Sequence, residues 1–136
     1  MAAWLLKTEP TTYSWDDLVR AGRGGWDGVA NALAQQHLRA MQPGDRAVIY
    51  HTGAERRAVG LAEIVSAPYP EPAGDGKRVM VDLVPHKPLV QPVGLDVFKA
   101  TPAFAGSALV RLGRLSVVPL SATELAALLA LARTRG

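Results

Sequence analysis

The chain has 136 residues, of which 49% are hydrophobic and 20% charged, and its formal net charge is +3 at neutral pH. These values are typical of one soluble globular domain and exclude a disordered or membrane-embedded chain. Disulfides and thiol chemistry are excluded because the chain contains no cysteine. The opening "MAAWLLKTEP" lacks the basic segment and cleavage site of a signal peptide, so we expect a single cytoplasmic domain over residues 1–136.

The positive excess is confined to the C-terminal quarter. Residues 1–99 carry eleven basic and eleven acidic side chains, whereas residues 100–136 carry four arginines and one glutamate. These arginines are either solvated side chains on the surface or part of a patch for an anionic partner, which a mild excess permits without requiring it. They are Arg111, Arg114, Arg133 and Arg135.

The first half of the chain predicts a strand, two helices and a hairpin. "AWLLK" at 3–7 predicts a first or edge strand, since the proline of "TEP" prevents further ladder pairing. Ser14 with Asp17 resembles a capping box, and the glycines at 22, 24 and 25 end a short helix. Residues 31–41 have apolar side chains at helical spacing before "QPGD". "RAVIYHT" at 46–52 and "RRAVGLAEIVSA" at 56–67 then predict paired strands.

The second half predicts further strands and a final helix. "PYPEPAGDGK" at 68–77 is a surface loop, and residues 78–90 form a strand broken by prolines at 85 and 88. Residues 94–107 indicate a short helix and connection, and residues 108–120 a strand or strand pair around Gly113. Ser121 and Glu124 form a capping box that begins the last helix. Five or six strands without regular β-α alternation predict an α+β fold built on a small barrel or strongly bent sheet.

Specific catalytic and cofactor motifs are absent from the sequence. It contains no G-x-S-x-G, H-E-x-x-H or phosphate loop, and "GDGK" at 74–77 is typical of a turn. Its three histidines have no metal-ligand spacing, so we expect neither a metal nor a cofactor. His51 ends a strand beside Tyr50 and Thr52, where it either satisfies the rim of a sheet or contacts a ligand.

Two short stretches suggest a binding site. Lys7, Thr8 and Glu9 lie where a strand ends, and peptide groups and side chains both become available to a ligand there. Trp26 precedes the turn dipeptide "DG", where a large aromatic is either part of the core or one wall of a pocket. A half-buried tryptophan in a turn keeps one face free for stacking. The remaining tryptophans fall within strand and helix patterns, and we expect them in the core: Trp4 and Trp15.

Several blocks in a fixed order resemble the EVE-domain family, a branch of the PUA-like superfamily that also includes YTH and ASCH domains. They are "WLLKTEP" at 4–10, "YSWDDL" at 13–18, "WDGVAN" at 26–31, "LRAMQPGDRAVIYHT" at 38–52, "VGLAEIV" at 59–65 and "RLSVVPLS" at 114–121. Together they span nearly the whole chain.

The resemblance implies a bent β-barrel of five or six strands with flanking helices, and a pocket for one modified nucleobase flipped out of DNA or RNA. Recognition of a flipped base requires an aromatic face and polar groups at its edge. Carried over to this sequence, the ligand-binding positions are Lys7, Thr8, Glu9, Trp26, Asn31, Tyr50, His51 and Thr52. The expected partner is modified DNA or RNA, or a free modified nucleotide, bound by a monomer.

The sequence departs from the family at one block. The usual "WDGVRNxxARN" is "WDGVANALAQQ" here, so Ala30 and Gln35 replace two arginines and Gln36 replaces an asparagine. Arginines on a helix there would contact phosphates, and their loss lowers the affinity expected for a nucleic-acid strand. Arg111 and Arg114 are then the candidate contacts to the nucleic-acid backbone.

The sequence leaves two other functions open. The first is a small ASCH-like hydrolase of modified nucleosides that uses Lys7, Thr8 and Glu9, although adjacent strand residues point to opposite faces. The second is a protein-interaction domain that uses the apolar C-terminal helix. The favoured interpretation is a binding module without catalytic residues.

Overall fold

The computed structural model describes residues 1–72, 74 and 76–136. Within them the strands are β1 (Ala3–Thr8), β2 (Gly24–Trp26), β3 (Arg46–His51), β4 (Arg57–Ile64), β5 (Tyr69–Pro70), β6 (Val79–Gly94) and β7 (Val117–Leu120). The helices are α1 (Trp15–Ala21), α2 (Ala32–Ala40), α3 (Leu95–Ala100), α4 (Ala108–Arg111) and α5 (Ala122–Leu131), with a 3-10 turn at Pro102–Phe104.

The strands form one sheet in the order β2-β6-β4-β3-β1-β7, with β5 paired to β6 outside this row. β1 and β3 are parallel, and the other pairs are antiparallel. The sheet curls into a half-barrel and the helices lie around it. This arrangement confirms the predicted α+β class with a bent sheet.

β1 is the predicted first strand, but it is not at the edge of the sheet. It lies between β3 and β7, since residues 3–6 pair with β7 on one side and the whole strand pairs with β3 on the other. The parallel register places Lys7 beside Tyr50 and Thr8 beside His51. The ends of β1 and β3 therefore bring polar side chains to the same edge of the sheet.

β6 corrects the prediction of a strand broken by prolines at 85 and 88. It continues for 16 residues through both positions. Pro85 pairs with Ala62 and Pro88 with Gly60, and the register between β4 and β6 shifts at these places. Proline is tolerated where a bulge interrupts the ladder, because its missing N–H is not needed there.

The prediction of strands throughout residues 108–120 is wrong in its first half. The Ser107 hydroxyl accepts a hydrogen bond from the Leu109 N–H at 3.1 Å and begins the short helix α4. Only the second half forms a strand, β7, beside β1. Serine ahead of an apolar run is a helix N-cap signal, which the apolar alternation of this segment obscured.

The two predicted capping boxes are confirmed. Ser14 and Asp17 begin α1, which ends at Gly22 in the left-handed region at φ 74°. Ser121 and Glu124 begin α5. The second helix and the hairpin of β3 and β4 also lie where the sequence predicts them.

The predicted loop at 68–77 contains the two-residue strand β5. Ala73 and Asp75, which belong to this loop, lie outside the described residues, so the predicted turn at 74–77 is described only in part. None of the described helices has both the length and the apolar character needed to cross a bilayer.

Trp4 and Trp15 are buried, as predicted. The Trp4 indole N–H donates to the buried carboxylate of Asp45 at 3.0 Å, which satisfies its one polar atom. Trp15 packs on Gly60, where a Cβ atom would come within 2.3 Å of the indole ring. The first turn of α1 is thereby held against the middle of β4.

Candidate functional site

A cavity of about 420 Å³ lies where the ends of β1 and β2 come together. This volume falls within the range of small-molecule sites, roughly 300–1,000 Å³. Its lining comes from the end of β1, the segment before α1, the end of β2 with its following loop, and the residue before β7. The residues are Lys7, Thr8, Thr12, Tyr13, Gly25, Trp26, Asp27, Gly28, Val29, Ala30 and Ser116.

The end of β1 provides a cation and a hydroxyl. The Lys7 ammonium donates to the carbonyl of Gly113 at 2.9 Å, and partial burial lowers the pKa of this lysine. The Thr8 hydroxyl donates to the carbonyl of Tyr13 at 2.7 Å. Because the Thr8 hydroxyl uses its hydrogen in this bond, only its lone pairs remain available to a ligand.

Two aromatic rings form the apolar wall. Tyr13 and Trp26 meet edge to face, with ring centroids 6.1 Å apart and planes at 81°. Trp26 corrects the prediction of a half-buried tryptophan in a turn: it ends β2, pairs with Val81 and is only 7% exposed. Its packing fixes the ring, and Trp26 is among the residues that line the cavity.

The glycines before Trp26 allow other side chains to approach β2 closely. A Cβ atom at position 24 would lie 2.6 Å from the Tyr13 hydroxyl, and one at position 25 would lie 2.3 Å from the Met80 methyl group. Both distances are shorter than van der Waals contact. The absence of a side chain at position 24 therefore lets Tyr13 approach the strand that ends in Trp26.

The loop after β2 is held at several points. The Gly28 N–H donates to the Glu71 carboxylate at 3.1 Å, and Gly28 has a φ of 73°. The Gln35 side chain donates to the carbonyls of Val29 at 2.7 Å and Val79 at 3.2 Å, and accepts from the Val79 N–H at 2.9 Å. This loop is consequently fastened to α2 and β6.

These contacts revise the interpretation of the two missing arginines. Gln35 is 5% exposed and points between the loop and β6, so this position serves packing and not a phosphate contact. Ala30 is exposed and lines the cavity. Of the two replaced arginines, the one at position 30 would have lain at the rim of the cavity, where Ala30 now lies.

His51 does not line the cavity but binds the first residue of α1. Its Nε2 accepts from the Trp15 N–H at 3.0 Å, which leaves Nδ1 to carry the hydrogen and donate to the Glu55 carboxylate at 2.9 Å. The ring is 7% exposed and does not line the cavity. The sequence left open whether His51 satisfies the rim of the sheet or contacts a ligand. The structure shows the first, and the bond to Trp15 fixes the start of α1.

The remaining predicted site residues lie around the cavity and not in it. Tyr50 and Thr52 line a smaller cavity on the far side of Lys7. Glu9 is exposed and accepts from the Thr52 hydroxyl at 3.2 Å. The other three predicted residues line a surface groove of about 380 Å³, together with Leu33 and Leu112: Asn31, Arg111 and Arg114.

The contacts of Lys7, Thr8 and Glu9 do not favour a hydrolase. Their polar atoms are bound to Gly113, Tyr13 and Thr52 respectively, and do not converge on one point. Within the described part of the chain, no cluster of three or more histidine, aspartate or glutamate side chains is placed to hold a metal ion.

Several residues of the cavity lining were not predicted from the sequence. Thr12 and Tyr13 lie just before the capping box of α1. Because the cap fixes how the chain enters the helix, this position could have indicated that they lie near the site. Asp27 follows the selected tryptophan directly. Ser116 carried no separate signal, since only the pairing of β7 with β1 brings it to the cavity.

A half-barrel with a polar and aromatic cavity at the ends of its strands defines a PUA-like domain. A model of the EVE domain family matches residues 2–131. The chain belongs to the EVE domain family.

Solved structures agree with this assignment. A protein from Rhodopseudomonas palustris, solved by NMR, is 42% identical, with a TM-score of 0.93 over 98% of this chain and 94% of that chain. Human THYN1, crystallised with DNA that contains 5-methylcytosine, is 26% identical, with a TM-score of 0.89 over all of both chains. An ASCH protein from Zymomonas mobilis, at 14% identity and a TM-score of 0.59, shares the fold alone.

Among curated proteins, the chain is similar to thymocyte nuclear protein 1 of Homo sapiens, with 35% identity over 80 residues. The match covers 50% of this chain and 36% of that protein. The chain thus matches about a third of the length of this curated relative.

Proposed function

We propose that this chain is a binding module without catalytic residues, and that it holds one modified nucleobase in the cavity beside Trp26. The observation that carries the proposal is the pairing of a fixed aromatic wall with polar groups around a cavity of about 420 Å³. A flipped base offers a π-face and a hydrogen-bonding edge, so it needs both kinds of partner.

The chemistry of the lining suits a modified cytosine. Trp26 and Val29 both line the cavity, so we infer that the accessible part of the indole ring stacks on the base and that Val29 contacts the methyl group. The Asp27 carboxylate is a hydrogen-bond acceptor at the rim and suits the exocyclic amine of cytosine, whereas thymine presents a carbonyl there. The complex of human THYN1 with 5-methylcytosine DNA supports this class of ligand.

The groove of Asn31, Arg111 and Arg114 provides a path for the rest of a strand. Both arginines are exposed and lie close to the N-terminal end of α2. Such side chains contact phosphates without reading sequence. We therefore place the strand across this groove, with DNA as the first partner and RNA or a free modified nucleotide as the alternatives that the binding assay distinguishes.

The stacking wall is tested with Trp26→Leu and Trp26→Phe. Stacking on an aromatic side chain contributes about 1–3 kcal/mol per base, so Trp26→Leu is expected to weaken binding of a 5-methylcytosine oligonucleotide by roughly 5- to 150-fold. Trp26→Phe keeps a smaller ring and should give an intermediate affinity. Fluorescence anisotropy measures the dissociation constants, with RNA and the free nucleotide as parallel ligands.

Trp15→Leu is the matched control, because Trp15 is equally buried at 7% but packs on Gly60 and not on the cavity. Thermal melting establishes that each variant is folded at the assay temperature. Equal losses of affinity in Trp26→Leu and Trp15→Leu, or unchanged affinity in Trp26→Leu, would contradict the proposal.

A further inference from the structure

Lys7 separates the cavity of about 420 Å³ beside Trp26, called here the base cavity, from a second cavity of about 220 Å³. The second cavity, called here the Lys7–Arg56 cavity, is lined among others by Lys7, Tyr50, Thr52, Gly53 and Arg56. The parallel pairing of β1 with β3 builds it, since the register sets Lys7 beside Tyr50. The two cavities adjoin because Lys7 lines both of them.

The Lys7–Arg56 cavity brings together two cations and two hydroxyl groups. The Lys7 ammonium lies 5.7 Å from the centre of the Tyr50 ring. Burial raises the pKa of the Tyr50 phenol, and the nearby charge of Arg56 acts in the opposite direction. The Thr52 hydroxyl uses its hydrogen in the bond to Glu9, so the donors that remain for a phosphate oxygen are the two cations and the Tyr50 phenol.

The backbone holds Arg56 in a rare conformation. Its φ is 47°, in the left-handed region that residues with a β-carbon seldom adopt. The Leu95 N–H donates to the Arg56 carbonyl at 2.9 Å, and the Arg56 side chain donates to the Gly53 carbonyl at 3.3 Å. Strained positions of this kind cluster at ligand sites, where the surrounding structure maintains them.

We propose that the Lys7–Arg56 cavity binds a phosphate group of the nucleotide whose base occupies the neighbouring cavity. The inference rests on the proposed function for the identity of the nucleotide, but the phosphate site itself is defined by its own residues. The Glu9 carboxylate accepts from the Thr52 hydroxyl and lies close to Gly53, so it places a negative charge beside these two lining residues. A phosphate is therefore placed toward Lys7 and Arg56, away from Glu9.

The site is tested first without any base. Inorganic phosphate is titrated into the isotope-labelled protein, and amide chemical shifts are followed by NMR. We expect saturable shifts at residues 50–56 in the wild type and at least about tenfold weaker binding in Arg56→Gln, since a charge-assisted hydrogen bond is lost. Residues that line only the base cavity should shift less.

Arg57→Gln is the matched control, because it removes the same charge from the next residue. Arg57 is exposed, lies 3.4 Å from the Glu55 carboxylate and does not line the Lys7–Arg56 cavity. It should keep the phosphate affinity of the wild type. Absence of saturable shifts in the wild type, or equal weakening in both variants, would overturn the inference.

A second experiment links the two cavities. The affinities of 5-methyl-2′-deoxycytidine and its monophosphates are compared by calorimetry, and the phosphate is expected to improve binding in the wild type and Arg57→Gln but not in Arg56→Gln. Equal affinities of nucleoside and nucleotide in the wild type would overturn the link. If phosphate binds but none of these ligands exceeds it in affinity, the phosphate site stands and the proposed function fails.

The source of the phosphate is distinguished with an oligonucleotide in which one phosphate beside the 5-methylcytosine is replaced by a neutral methylphosphonate. A loss of affinity that matches the effect of Arg56→Gln assigns the Lys7–Arg56 cavity to a strand phosphate. If Arg56→Gln weakens binding of the free mononucleotide but not of the oligonucleotide, the cavity binds a terminal phosphate. Each result supports phosphate binding and names a different source.

Discussion

Gln35 illustrates how a single buried side chain holds a binding loop. Its amide satisfies the carbonyl of Val29, which lines the base cavity, and both polar backbone groups of Val79 in β6. A longer charged side chain at this position would need an exit to solvent that the packing at 5% exposure does not provide. The residue therefore acts on the ligand only through the loop.

We expect Gln35→Met to destabilise the protein by about 1–3 kcal/mol, because buried backbone groups of Val29 and Val79 lose their partners. Urea denaturation measures the free energy of unfolding. Gln36→Met is the control, since the neighbouring side chain is exposed and its replacement should leave the stability nearly unchanged. Similar stability of the two variants would show that the Gln35 amide is not needed.

Some residues of the site could be predicted from the sequence and others could not. Lys7, Thr8 and Trp26 carried local signals, a strand end and an aromatic before a turn, and the structure places all three in the lining of the base cavity. Tyr50 and Thr52 were also near a strand end, but their side of Lys7 depends on the parallel register of β1 and β3. Register is a tertiary property that no local pattern specifies.

At the scale of elements, α1 depends on its N-terminal cap. The Ser14 hydroxyl accepts from the Asp17 N–H at 3.1 Å, and the Asp17 carboxylate accepts from the Ser14 N–H at 2.9 Å. The Ser14 N–H first, and then the Arg20 guanidinium, lower the pKa of Asp17 below its ordinary value of 3.8. The cap orients Tyr13, which directly precedes it and lines the base cavity.

Because the pKa of Asp17 is lower in the folded state than in the unfolded state, its contribution to stability is present above the unfolded value of 3.8 and is lost as the pH falls through the folded value. Asp17→Asn should therefore lower the melting temperature at neutral pH. The difference from the wild type should shrink below about pH 4. Thermal melts across this range measure the effect.

Asp16→Asn removes the same charge from the exposed neighbouring residue, which lies outside the capping box. It should change the melting temperature much less. A pH-independent difference between Asp17→Asn and the wild type would mean that the carboxylate charge does not stabilise the cap.

The elements also show where local patterns are sufficient. Both capping boxes, the second helix and the hairpin of β3 and β4 form where the sequence predicts them, because each is specified by residues close together in the chain. β6 and α4 are different. The strand continues past its prolines only because β4 supplies irregular pairing, and α4 depends on a cap that competes with an apolar alternation typical of a strand.

For the whole molecule, the curled sheet explains why distant segments share one site. Residues at 7–8, 12–13, 25–30 and 116 meet at the base cavity because β1 pairs with both β3 and β7 while β2 pairs with β6 at the other end of the row. The class of fold could be predicted from the number and spacing of strands. The contacts across the cavity could not, since they depend on how the sheet closes on itself.

Entry of a modified base into the cavity beside Trp26 is tested by an NMR nuclear Overhauser experiment. An oligonucleotide carrying one 5-methylcytosine with a ¹³C-labelled methyl group is bound to the protein, and contacts of that methyl group are recorded. We expect contacts to side chains of the lining, among them Trp26, Tyr13 and Val29. Binding in which the methyl group contacts only residues outside this cavity, or does not contact the protein, would contradict it.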